Sequence, residues 1–122
     1  MMPSYIGYLV LALIVGFFIR RKMRLRAVKR KLPDYIKSGA VVIDVRSPAE
    51  YIMGHFAGSL NIPLQELPEK ASNLAKDKTI LLCCASGTRS GMAVATLKAK
   101  GFKNVINAGS WNNLILSREK KS

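Results

Sequence analysis

The sequence predicts an α/β domain on a small, mainly parallel sheet, preceded by one membrane-crossing helix. Three observations carry this reading. From Ala40 onward, short aliphatic runs alternate with helix-like segments, the pattern of repeated strand–helix units. The runs are continuous rather than alternately polar, as in strands covered on both faces. Near the N-terminus an uncharged stretch is followed at once by a block of cations.

Tyr5 to Ile19 contains no charged residue, and counted from Pro3 the apolar stretch is seventeen residues, at the short end of the roughly 17–25 that span a bilayer. Eight cations lie between Arg20 and Lys31 with no acid among them. Lys and Arg flanking a membrane helix stay on the cytoplasmic side, so the expectation is a single-pass protein with its N-terminus outside and its domain in the cytoplasm. A cleaved signal peptide reverses this order, with the charge before the apolar run. The expected boundaries are an anchor over 3–19, a basic juxtamembrane segment over 20–31 and the domain over 32–122. Net charge is +13, and from residue 32 onward twelve cations face seven acids, so most of the excess sits beside the anchor. Such clusters attract anionic headgroups at about 1 kcal/mol per cation. Membrane lipid is therefore an expected partner. Nucleic acid is not, because no aromatic residues interleave the run to stack on bases.

Leu32 to Gly39 reads as a short helix with Pro33 near its start. Ala40 to Val45 is a buried strand whose carboxyl edge carries Asp44 and Arg46. Ser47, Pro48 and Glu50 form a capping box that opens the next helix. A short strand follows over 59–62, then a helix running from Pro63 to about Ala75. Thr79 to Cys83 is the next strand, Thr88 to Lys100 a helix closed by Gly101, Asn104 to Asn107 a last strand, and Trp111 to about Glu119 a terminal helix. The sheet is expected to have four or five strands.

The chemistry gathers at Cys83-Cys84-Ala85-Ser86-Gly87-Thr88-Arg89-Ser90. The loop joins a strand to a helix, where the first helical N–H groups lack intrahelical partners and favour an anion. Those groups and Arg89 should lower the thiol of Cys84 below the free value of about 8.5. Sites in open parallel sheets lie beyond the carboxyl ends of the strands, so Asp44, Arg46 and the cysteine loop can share one crevice. Vicinal cysteines are poor disulfide partners, and one histidine with no second cysteine pair offers no metal-ligand spacing. No metal and no cofactor is expected. Free thiols agree with a cytoplasmic domain.

The stretch Asp44-Val45-Arg46, Glu50-Tyr51, Gly54-His55-Phe56, Gly58-Ser59 and Asn61-Ile62-Pro63 resembles the first signature of rhodanese-like domains, and Cys84 to Ser90 resembles their active-site loop. Gly101-Phe102, Asn104-Val105 and Ala108-Gly109-Ser110 extend the resemblance, which covers residues 33 to about 116. It implies a sulfurtransferase: Cys84 takes a sulfane sulfur from a donor such as thiosulfate, becomes a persulfide and passes the sulfur to a thiol or cyanide acceptor. It further implies that Ala85, Ser86, Gly87, Thr88, Arg89 and Ser90 bind the substrate. Asp44 and Arg46 are read either as a pair supporting the loop or as substrate contacts. Cys83 is expected to face away from the crevice, and His55 to be structural. Family members often carry an edge strand before the first signature, here either missing or improvised near Ala27 to Leu32. The rival readings are a membrane-docked sulfur carrier or sulfide-sensing module, with a membrane protein as partner, and a cysteine-loop phosphatase. The last gains some weight from arithmetic, since five residues separate Cys83 from Arg89 and four separate Cys84 from it.

Overall fold

A computed structural model describes residues 3–119. Its order is α1 (Ser4–Lys37), β1 (Val41–Asp44), α2 (Pro48–Met53), β2 (Leu60–Asn61), α3 (Leu67–Lys70), β3 (Ile80–Cys84), α4 (Thr88–Ala99), β4 (Val105–Ser110) and α5 (Trp111–Glu119). The sheet has four strands, all parallel, in the order β2-β1-β3-β4. Its central strands β1 and β3 bear the uninterrupted aliphatic runs, because both of their faces are covered. One face packs Ile43, Ile80, Leu82 and Cys84 against α4 and the segment around α3; the other packs Val42, Leu81 and Cys83 against α1 and α5.

Two expectations need correction. The helix from Pro63 to Ala75 is broken: only Leu67–Lys70 is α-helical, between 3-10 turns at Leu64–Glu66 and Ala71–Asn73. Pro68 lacks an N–H to bond back to the turn before it, which fits such a break. Of the two alternatives for the edge strand that family members often carry, it is the missing one that holds here: residues 27–32 are helical and the sheet has four strands.

The second correction concerns the N-terminus. The anchor, the basic segment and the helix begun at Leu32 are not three elements but one helix of 34 residues, with Pro33 inside it. The helix continues past the proline because Leu32 is fully buried, and Val28, Tyr35 and Ile36 pack beside it on the α5 face. The domain boundary at residue 32 therefore falls inside a continuous element. Residues 120–122 of the expected domain lie outside the described residues. Among those described, no helix is long and apolar enough to cross a membrane. The uncharged run Tyr5–Ile19 is fifteen residues, or about 23 Å at 1.5 Å per residue, against a hydrocarbon core of about 30 Å. From Pro3 to Ala27 the side chains are exposed, except Ile6, which is half-buried.

Candidate active site

The site is built where β1 and β3 end side by side, with Asp44 opposite Cys83 in the register. The next residue, Cys84, turns its side chain to the other face, because successive strand side chains alternate. Cys83 accordingly packs with Leu81 and Leu114, whereas Cys84 lies on the α4 side. Both are free and buried. Burial, followed by the nearby Asp44 carboxylate, pushes the Cys83 thiol well above the ordinary range. Counting the loop from Cys83 thus starts from a sulfur on the wrong face.

Around Cys84 the loop curls so that its own backbone donates to the sulfur. Gly87 N–H lies 2.9 Å from Sγ and Ser90 N–H 3.5 Å. Burial alone would raise this thiol, but the Ser90 hydroxyl and the N–H groups of Ser90, Gly87 and Ser86 outweigh it and lower the pKa. The curl depends on Gly87, whose φ is +102° and which stands at the N-cap of α4. A Cβ there would also meet the Cα of Gly109 at 3.3 Å. Gly109 reaches that position through an irregularity in the β3–β4 pairing, which steps from Leu82 opposite Asn107 to Cys83 opposite Gly109. Such bulges commonly re-aim strand ends at sites.

Two residues outside the predicted set hold the loop. Asn107 accepts from the Ser90 hydroxyl at 2.6 Å and from Gly109 N–H at 2.9 Å, while its amide donates to the Gly87 carbonyl at 3.0 Å. The single Ser90 hydroxyl hydrogen can turn toward Asn107 or toward Cys84 Sγ at 3.4 Å, so the backbone N–H groups are the fixed donors to a thiolate. The signal for Asn107 was a polar side chain at the end of an aliphatic strand. The other residue is Glu50. Its carboxylate accepts both from the Ser47 N–H, completing the capping box, and from Arg89 in a forked pair at 2.7 and 2.9 Å. The Arg89 guanidinium, followed by the Ser47 N–H, holds the Glu50 carboxyl down at about 2. Sequence reading saw the cap and missed the ion pair, because its partner is 39 residues away.

Arg89 therefore does not point at the sulfur unopposed. It is half-buried, tied to Glu50 and raised in pKa by that bond. The principal groups lowering the Cys84 pKa are hydrogen-bond donors of the loop, as expected of the N–H groups at the helix start, while Arg89, expected to share that role, is engaged by Glu50. Ala85, Ser86 and Thr88 are exposed at the mouth, with the Ser86 and Thr88 hydroxyls 3.4 Å apart, and Ser90 is buried beneath them. Asp44 and Arg46 form a buried fork at 2.8 to 3.0 Å, and Arg46 also donates to the Gly54 carbonyl at 2.7 Å and stacks over Trp111. These contacts tie the end of β1 to both ends of the α2 turn and to Trp111. His55 is exposed, stacked on Tyr51, with Nδ1 2.8 Å from the Tyr51 carbonyl.

Known proteins share the sequence pattern and the fold of this chain. The family model described as "Rhodanese-like domain" matches residues 28–115. Thiosulfate sulfurtransferase PspE of Escherichia coli is 36% identical over 80 residues, covering 64% of this chain and 77% of that protein. The putative sulfur carrier protein YrkF of Bacillus subtilis is 38% identical over 86 residues, 70% of this chain but only 45% of YrkF. Among solved structures, a rhodanese-related protein from Thermoplasma volcanium superposes with a TM-score of 0.59 at 38% identity, covering 77% of this chain and 89% of that one.

Proposed function

This chain belongs to the rhodanese-like domain family, and from that premise we propose that it is a sulfurtransferase working through a persulfide on Cys84. The observation that carries the proposal is the sulfur at the centre of a ring of loop N–H donors. In the first half-reaction the Cys84 thiolate attacks the sulfane sulfur of a donor such as thiosulfate; its S–S bond breaks and sulfite leaves with the electron pair. In the second, a thiolate or cyanide attacks the outer sulfur of the persulfide, and the pair from that bond returns to Cys84. The loop donors meet the negative charge in both resting states, and no general base is needed for a thiol already lowered. Arg89, released from Glu50, would meet the anionic donor at the mouth. The same chemistry serves a carrier that hands its sulfur to one acceptor, as the name of YrkF suggests for that relative.

The proposal extends to location. The apolar half of α1 packs on nothing in its own domain and ends in cations, which favours burial in lipid with the N-terminus outside and the domain in the cytoplasm. The missing length is made up by Arg20 and Arg21 snorkelling to the interface and by local thinning of the bilayer. Intact mass spectrometry of the full chain in detergent tests the chemistry. Thiosulfate should add the mass of one sulfur atom, removable by cyanide and absent in Cys84→Ser; no addition in any form would overturn persulfide formation from this donor.

A further inference from the structure

α1 runs antiparallel to the strands. Near its end, Tyr35 and Ser38 line a hollow with Lys78 and Thr79 at the amino edge of the sheet. Three turns earlier, Leu25, Val28 and Lys29 line a groove of about 250 Å³ with Ser86, Ser110 and Asn113 at the carboxyl edge. The helix thus leaves the domain on the side where the Cys84 loop opens, and Ser4 to Arg24 continue beyond that edge. From Leu25 back to Ile19 is six residues, about 9 Å along the axis.

We infer that the Cys84 loop faces the bilayer surface from about 10 to 15 Å, and that its sulfur is exchanged with a thiol on an acidic, membrane-proximal segment of an integral membrane protein, received in the groove between α1 and Ser86. This rests on the lipid-embedded reading above. The charge favours an acidic partner: no carboxylate lines the groove, Lys29 takes part in none of the ion pairs among the described residues, and seven further cations lie along Arg20 to Lys31. Leu25 and Val28 supply an apolar wall, and the Ser110 hydroxyl, which accepts from Asn112 N–H at 3.2 Å, keeps its own hydrogen to donate. In the exchange, the partner's thiol loses its proton to water and its thiolate attacks the outer sulfur of Cys84–S–S⁻. The S–S bond breaks, Cys84 keeps the electron pair, and the partner leaves as the persulfide.

The full chain reconstituted into phosphatidylcholine–phosphatidylglycerol vesicles tests each link. Failure to float with the vesicles overturns the lipid-embedded reading and this inference with it. In a Cys84→Ser background, where the buried Cys83 resists labelling, a donor dye on Ser86→Cys should transfer energy to headgroup-labelled lipid several-fold more strongly than one on Asp77→Cys. Equal or reversed transfer overturns the orientation. For the partner, wild-type protein loaded with sulfur and verified by mass should deliver it faster to an acidic single-cysteine peptide on a short lipid tether than to a basic peptide on the same tether. Lys29→Glu should narrow that preference about three- to fivefold. Loaded protein with no preference overturns the groove; no loading overturns the sulfur-transfer reading itself.

Discussion

Cys83 and Cys84 are the same residue type, adjacent in sequence and both buried, yet the fold sends their chemistry in opposite directions. Cys83 sits among Leu81, Phe56 and Leu114 beside the Asp44 carboxylate, where burial and the neighbouring acid both disfavour a thiolate. Cys84 sits one residue further along, where the strand gives way to a loop whose backbone N–H groups converge on sulfur. Burial is unfavourable to both thiolates. Directed donors decide between them.

The largest effect that separates the two is loss of function. Cys84→Ser should abolish sulfur loading, while Cys83→Ser should keep most of it in a mass assay; comparable loss in both would break the comparison. Next comes the curl of the loop. Gly87→Ala has to adopt a φ of +102° and push against Gly109, and strain of this kind costs about 1–3 kcal/mol, so single-turnover loading should fall about ten- to a hundredfold. An unchanged rate would show that the curl is not needed.

The pH profile of alkylation sharpens the contrast further. Because the Cys84 pKa is lowered, its thiolate persists as pH falls from 9 toward the depressed value, and iodoacetamide reactivity should drop only below it. The inflection should therefore lie below the free-thiol value of about 8.5, with Cys83 unreactive throughout in folded protein. An inflection at or above 8.5 would contradict the donor ring. The smallest effect concerns Arg89. Glu50→Gln keeps an oxygen for the Ser47 cap but removes the charge opposing an anionic donor, so KM for thiosulfate should fall about two- to threefold, whereas Arg89→Ala should raise it. The Glu50 carboxyl, held at about 2, stays ionised through the whole assay range, so wild-type KM should carry no pH dependence from this pair between pH 5 and 8.

Much of the fold was legible locally. The strands over β1 and β3 announced themselves by continuous aliphatic runs, α2 by its capping box, and α4 and α5 by Gly and Trp at their edges. The helix expected from Pro63 to Ala75 is broken, because Pro68 has no N–H to bond back to the turn before it. The break expected at Leu32 is absent for the opposite reason. Pro33 was read as a start, but packing of Leu32 against α5 outweighs its cost within a helix.

The order of residues by itself determined a nucleophile at a strand-to-helix turn, a glycine able to bend the loop, and the parity that points adjacent cysteines to opposite faces, since all three depend on neighbours a few residues apart. Only the tertiary structure decided that Arg89 meets Glu50, that Asn107 ties Ser90 and Gly87 to β4, and that α1 passes the mouth of the site on its way out of the domain. Those contacts join residues tens of positions apart, and which of them meet is set by sheet register and helix direction, which no local pattern of side chains encodes.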